Sequence, residues 1–518
     1  VKIQPSVDRT ILHLSGKVRS SHVAFEYTFT ISQNGKGELK IDTSGHAVAD
    51  FKANRVGLTV LHPAPECCGR KLIVRHGNGA KENTQFPLTI MPSQPVFDIA
   101  GLEHSLSSAR VSLDFAAQKP DGTSDFFEME DQRNWGDASY KTYVGSLRDP
   151  WPFQVKQGDK FIQSVTITAS PIRKASEFVE TNVTSPVAST AKFRSPDIAV
   201  SIPRNGAQLA LANMKNFGFV KPSRFSAYLY SDALDERELL ALAEICELSG
   251  RPLGVELEVC GVPESEIEAA AAKLQVFGIH PHSILAVPSE YAKSYQPDGE
   301  WPDVMSLERF YKLVRNAFPK SRVGGGMLAY FTELNRKWPP IDNIDFIAHA
   351  YCPIVHAADD ETIIQNLATL PLIAASVAEK ARDLPYEIVS SLLSMRQNPY
   401  GASSVDNPAN LRMAMAAADP RETGQFGGLW MLEVARRSAQ GHTSLLTVGA
   451  MSGPSSIYSA DREDGRLPSY AAVEGLIGLQ GADLTTFEST KRELIDKHFS
   501  LANPVFETAF NRIHNASQ

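Results

Sequence analysis

Cysteine is scarce, with five residues in 518, an odd count, and no C-x-x-C spacing. That excludes a disulfide framework and a structural zinc site, and Cys67-Cys68 reads as two reduced thiols rather than a redox pair. Basic excess is also missing. The formal net charge of −8 sets aside a nucleic-acid partner. No charged-then-apolar leader opens the chain, and no apolar run approaches membrane-spanning length, so no membrane partner is expected and a cytoplasmic location is. No G-x-G-x-x-G follows a first α/β strand, which argues against a doubly wound dinucleotide-binding sheet. No G-x-S-x-G occurs either, so a serine-nucleophile α/β-hydrolase mechanism is set aside.

What is present suits a large soluble enzyme. With 43% hydrophobic residues, the chain can bury more than one core. Residues 1–195 carry short alternating runs such as Ile11–Leu14, Val23–Phe29, Arg55–Leu61, Lys71–Val74 and Phe161–Ile167. Turn chemistry at Asn34-Gly35-Lys36-Gly37 and Asn78-Gly79 separates them, predicting an antiparallel β-sandwich. A Ser/Thr/Ala-rich stretch from Lys174 to Ser195 reads as a connector, and residues 196–220 as linker. From 221 to 518 strands and helices alternate. Seven strands are placed, at Arg224–Tyr230, Leu253–Val259, Ser283–Val287, from Arg322, Asp345–Tyr351, Tyr386–Leu393 and Thr443–Val448. The pattern predicts a (β/α)8 TIM-type barrel with a C-terminal extension, its eighth strand placed at Asp483–Phe487.

Barrel strands carry function at their C-terminal ends, and period-two alternation assigns the inward side chains. In Leu253–Val259 the aliphatic residues share one face, which turns Glu256 and Glu258 inward. Glu256 reads mainly as the partner of a buried Lys or Arg, and Glu258, nearer the mouth, as a catalytic candidate. By the same parity His349 and Tyr351 are expected to point inward, as are Ser226, Tyr228 and Tyr230. Tyr330, Glu333, Asn335 and Arg336 follow the fourth predicted strand, His356, Asp359 and Asp360 the fifth, and Arg396 and Asn398 the sixth. His356 can relay a proton, act as base or bind a metal. Asp359 and Asp360 equally suit a helix cap. A metal held by His349, His356 and Asp359 is the minority arrangement, because no H-E-x-x-H or similar motif is present; no metal or cofactor is expected.

One segment fits no amphipathic period: F-F-E-M-E-D-Q-R-N-W-G-D-A-S-Y-K-T-Y, Phe126–Tyr143. Its alternating charges and interleaved aromatics read as a rigid hydrogen-bonded surface lying against the barrel, one that holds a polyhydroxylated ligand or braces a domain contact, with Glu130, Arg133 and Trp135 as candidate ligand-binding residues. This segment resembles the signature of the D-apionate lactonase family. So do Asn54-Arg55-Val56-Gly57 with Leu61-His62-Pro63, Phe86-Pro87 with Gln94-Pro95, and Gly324-Gly325-Gly326 with Tyr330-Phe331-Thr332-Glu333-Leu334-Asn335-Arg336. Val355-His356-Ala357, Asp359 and Asp419-Pro420-Arg421 fit as well. The resemblance runs from about residue 50 to about residue 455. It implies a hydrolase that opens a sugar-acid lactone, an apionolactone-like aldonolactone, and a small sugar-like substrate as partner. It also implies a glutamate late in the barrel, in T-x-Y-E-T-x-G, where this chain has Thr447-Val448-Gly449-Ala450-Met451-Ser452-Gly453. Lactone opening needs a base, oxyanion donors and an acid for the leaving oxygen. Glu258 or His356 as base, Arg396 or Asn335 as donor and Glu333 as acid form one assignment. Tyr330, His349 and Tyr351 complete the expected lining. The alternatives are a glycoside hydrolase using barrel carboxylates, and a non-catalytic carbohydrate-binding relative, to which Ala450 points.

Overall fold

The computed structural model describes residues 2–5, 9–20, 23–172 and 193–499. The chain forms two compact units, one of Val1–Gln132 with Ala138–Thr184 and one of Arg133–Asp137 with Ser185–Gln518. The predicted connector lies almost wholly outside the described residues, as does the end of the C-terminal extension.

In the first unit the strands pair antiparallel, as expected. Arg9–Arg19, Ala24–Asn34 and Glu38–Ala47 form successive hairpins that continue through Lys160–Pro171, Ala109–Gln118 and Val96–Ser105 to Thr59–Pro63 in one large sheet. A two-stranded sheet, Phe51–Ala53 with Phe153–Val155, makes a second layer. Phe51 and Val155 pack on Ala47 and Phe161, with Phe25 beside them, so the layers share an apolar core. The Asn34 side chain accepts the N–H groups of Lys36 and Glu38, closing the first predicted turn.

The Phe126–Tyr143 segment, which fits no helix or strand period in sequence, is nevertheless mostly strand, and its Arg133–Asp137 portion belongs with the barrel. It holds two paired strands, Phe127–Asp131 and Ser139–Val144, around a 3-10 turn at Gln132–Trp135. Most of its charged residues are buried, and Arg133 is wholly so. Alternation was no guide because both faces of these strands are covered.

The second unit is a closed barrel of eight parallel strands. They are β1 (Asp197–Ile202), β2 (Arg224–Tyr230), β3 (Leu253–Val259), β4 (Ser283–Pro288), β5 (Arg322–Tyr330), β6 (Phe346–Tyr351), β7 (Tyr386–Ser391) and β8 (Leu445–Ala450). Helices follow: α1 (Ala207–Phe217), α2 (Glu236–Ser249), α3 (Pro263–Val276), α4 (Leu307–Ala317), α5 (Phe331–Arg336), α6 (Asp360–Asn366), α7 (Leu370–Ala381), α8 (Gln425–Gln440), α9 (Pro468–Gly478) and α10 (Leu484–His498). In α2, Leu239, Leu242 and Ile245 face the core, each contributing about 2 kcal/mol by burial. Gly250 ends that helix in the left-handed conformation, φ 64°.

Two expectations are corrected. The stretch read as linker, 196–220, contains β1 and α1, so every predicted strand is one place later in the barrel. The strand placed at Asp483–Phe487 is the start of α10, where Asp483 accepts the Thr486 N–H at 2.8 Å as N-cap. The glycine triplet has a steric cause. A Cβ at Gly324 would meet the Phe346 ring at 2.4 Å, and one at Gly326 (φ +138°) the Ala348 carbonyl at 1.9 Å. The stretch Asp360–Ala381 is long and apolar enough to cross a membrane, but 67% of its apolar window is buried inside the protein.

Candidate active site

Inward side chains rise through the barrel in charged layers. At the base Glu387 of β7 lies between Arg224 of β2 (2.7 Å) and Arg322 of β5 (3.2 Å). Above it Glu256 accepts the Ser226 hydroxyl at 3.0 Å and pairs with Arg396 at 2.6 Å. Toward the mouth stands Glu258, 6% exposed. It accepts hydrogen bonds from the Tyr228 hydroxyl and, at 3.1 Å, from Gln397 Nε2. Alternation of Arg224, Ser226, Tyr228 and Tyr230 on β2, and of Glu256 and Glu258 on β3, puts these groups on the inner face.

Burial raises the Glu258 carboxyl above its ordinary range; Tyr228, Arg204, Tyr230 and Arg396 offset part of that rise. The Tyr228 and Tyr230 rings stack at 5.5 Å, and the Arg204 guanidinium lies 3.8 Å from the Tyr230 centroid. Tyr330 at the end of β5 donates its hydroxyl to the Gln397 carbonyl at 2.9 Å. The segment after β7 thus reaches across the mouth to β2, β3 and β5.

A second constellation lies beyond β6. His356 Nδ1 is 2.6 Å from Asp137 Oδ2, and Asp137 Oδ1 accepts the Asn366 amide at 3.2 Å. The carboxylate is buried and the imidazole is 38% exposed. This fixes the ring with Nδ1 toward the carboxylate and Nε2 on the other side. The Trp135 ring meets His356 edge-on at 6.0 Å, and Arg336 lies 5.2 Å from the Trp135 centroid. Trp135 and Asp137 sit here because Asn134 O accepts Thr332 Oγ1 (2.7 Å) and Gly136 O accepts Thr369 Oγ1 (2.9 Å).

Several candidates are placed otherwise than expected. His349 and Tyr351 face the helices. His349 lies against Phe331 of α5 and bonds Tyr386 at 2.7 Å, with burial pushing its pKa down to about 4. Tyr351 stacks on Trp430 of α8 and donates to Asn366 O at 3.3 Å. Parity misled because strands of a parallel barrel are buried on both faces, and the small Ala348 and Ala350 take the inner side. Glu333 is buried and reaches back to the Tyr330 N–H at 3.1 Å, closing the start of its own helix. Asn335 is held by Asn134 (3.1 Å) and Lys380 (2.7 Å). Arg396 is committed to Glu256 and, at 2.7 Å, to Leu328 O. Glu130 pairs with Lys141 across its hairpin in the first unit. Asp359 caps α6 through the Thr362 N–H at 2.9 Å. His349, His356 and Asp359 therefore have separate partners, and among the described residues no group of three His, Cys, Asp or Glu is placed to hold a metal.

Sequence reasoning missed Arg204, Gln397 and Asp137. Arg204 follows the unrecognised β1, and Gln397 is a neutral amide between two residues that drew attention. Asp137 lay within the quoted signature but gave no sign of its histidine partner.

Two family models match the chain. The D-apionate lactonase N-terminal domain matches residues 1–171, and the D-apionate lactonase TIM barrel domain matches residues 198–481, beginning at β1. A D-apionate lactonase from Brucella anthropi is 35% identical over 465 residues, covering 88% of this chain and 75% of that protein. The chain belongs to the D-apionate lactonase family. It is a hydrolase, and its activity is that of a lactonase. Among solved structures, a GH30 endoxylanase from Clostridium papyrosolvens C71 is 10% identical, with a TM-score of 0.36, over 55% of this chain and 72% of its own. A GH26 endo-beta-1,4-mannanase catalytic domain from Bacillus sp. JAMB-750 is 11% identical, with a TM-score of 0.31, over 61% and 89%. Likeness at that level carries no weight for this lactonase. Glycoside cleavage by the usual route needs two carboxylates flanking one bond. Here Glu387 and Glu256 are neutralised by arginines and Glu333 closes a helix start. Family membership also sets aside a purely carbohydrate-binding role.

Proposed function

We propose that this lactonase opens an apionolactone-like lactone of a sugar acid at the barrel mouth, with Glu258 as the base that activates water. The observation carrying the proposal is the setting of Glu258: a buried carboxylate with a raised pKa, hydrogen-bonded by neutral donors, at the C-terminal end of β3. A raised pKa makes the carboxylate a stronger base near neutrality. It takes a proton from water, whose oxygen adds to the lactone carbonyl. The ring C–O bond then breaks, the ring oxygen recovers the proton from Glu258, and the new carboxylic acid ionises to solvent. Arg204, beside Tyr230 and near Glu258, suits the developing oxyanion and the product carboxylate. The stacked tyrosines suit the face of a sugar-like ring. Ala450 cannot transfer a proton, so the chemistry rests on other strands, and weak or altered turnover of apionolactone itself is expected. The five free cysteines support a reducing, cytoplasmic setting.

A pH-stat panel of aldonolactones tests the assignment, because lactone opening liberates acid and glycoside cleavage does not. Activity on glycosides without proton release would replace it with the glycosidase alternative. A second reading of the base has its own support: Asp137 orients His356 at 2.6 Å, the arrangement of a histidine general base.

A further inference from the structure

Glu422 is outside this centre, yet it is among the most enclosed carboxylates, 1% exposed. Its two oxygens accept consecutive backbone N–H groups, Leu393 at 3.0 Å and Ser394 at 2.7 Å, where the chain has just left β7. The flanking amides are tied as well. Leu392 N–H donates to Tyr351 O at 3.3 Å, and Met395 N–H to Ala416 O at 2.8 Å. The next two residues turn inward, Arg396 to Glu256 and Gln397 to Glu258. Glu422 itself stands on a braced corner, since the preceding Arg421 bridges Asp419 and Asp360, each at 2.6 Å.

We infer that Glu422 is a positioning residue: its carboxylate sets the turn after β7 and thereby the place of Gln397 and Arg396 against Glu258 and Glu256. The inference rests on the Glu258 assignment above. The physical basis is the acceptor count. An ionised carboxylate offers both oxygens to the two amides, whereas a protonated one turns a hydroxyl toward a donor. The groups facing it are the Ser394 hydroxyl and the two amides after β7, the Cys352 thiol after β6, and Asp419 on its own corner. Burial pushes the carboxyl up to about 7, with the amides lowering it and Asp419 adding to the rise. The turn is therefore held doubly above that pH and singly below it.

The test combines exchange with kinetics. Backbone hydrogen exchange of the 392–398 segment, corrected for intrinsic rates, is compared at about pH 6 and about pH 8. Protection is expected to be lower at the acid pH in the wild type and in Glu258→Gln, and unchanged by pH in Glu422→Gln. In activity, Glu422→Gln and Gln397→Ala are each expected to lower kcat/KM roughly 10-fold, and the double variant no further than the worse single. Multiplying effects would mean that Glu422 does not act through Gln397, and equal protection at both pH values would overturn the inference that the Glu422 carboxylate sets the turn. If Glu422→Gln does not fold, the wild-type exchange pair decides alone. Full activity of Glu258→Gln would remove the catalytic assignment while leaving the exchange result standing.

Discussion

The two units bury different ionisable groups to different ends: paired histidines in the β-rich unit, and in the barrel three glutamates beside a histidine, His349, that is depressed in the same way. In the β-rich unit His62 and His104 pack edge to face at 5.3 Å, and burial drives their pKa values down to about 3 and about 4. They are kept neutral throughout the physiological range. In the barrel, burial raises three glutamates instead, Glu258, Glu333 and Glu422. Both shifts have one cause, the cost of charge away from water. The difference lies in what is left usable. A depressed histidine is silent near pH 7, and a raised carboxyl is closer to its titration point. Yet perturbation alone does not mark a catalyst. Glu333 is spent on its own helix and Glu422 on two backbone amides, while Glu258 is held by side-chain groups that a polyhydroxylated ligand can rearrange.

The sharpest test of that distinction sets Glu258→Gln beside His356→Ala. With Glu258 as base, Glu258→Gln lowers kcat by roughly 10²-fold or more with an unchanged melting temperature, and His356→Ala costs less than about 10-fold. The reverse ranking moves the chemistry to the Asp137–His356 pair. In wild type the same base gives an acid limb: activity is lost as pH falls through the raised Glu258 pKa, and the midpoint lies above the ordinary carboxylate range.

Acid should act differently on the β-rich unit. The folded pKa values of its two histidines lie below the unfolded value, so the unfolded chain binds protons first. Stability is complete above about pH 6.5 and falls toward about pH 4, by up to about 1.4 kcal/mol per pH unit for each histidine. Exchange within Val96–Ser105 at descending pH would show it, and His104→Phe should flatten the slope. A slope untouched by that change would mean that the histidines are not the cause. The smallest effect is expected of Glu333→Gln. An amide oxygen still accepts the Tyr330 N–H, so stability should change by less than about 1 kcal/mol with kcat nearly intact. A large loss of kcat without unfolding would restore Glu333 as an acid.

Much of this architecture was legible in the chain. Seven barrel strands announced themselves by alternation with helices, and period two turned Glu256, Glu258 and Tyr228 inward correctly. The first strand did not. Asp197–Ile202 is six residues long, precedes a Pro203-Arg204-Asn205-Gly206 turn and follows a low-complexity stretch, so it looked like linker. That omission hid Arg204 and forced an eighth strand onto a helix start. Parity also failed on β6, where helices cover one face and the barrel interior the other. The Asp137–His356 contact joins residues 219 positions apart, and no local pattern encodes it.

The arginine–glutamate–arginine layer at the base of the barrel has a kinetic consequence. Arg224, Glu387 and Arg322 plug the interior with paired charge, and Glu256 with Arg396 adds a second stopper. These pairs close the barrel at its base. If, as proposed, the lactone is opened beside Glu258 at the mouth, the free acid departs through the same opening, past the Arg204 cation that suits its carboxylate. Entering lactone and departing acid then compete for one place. Progress curves should bow early, with the accumulating acid acting as a competitive inhibitor of its own formation.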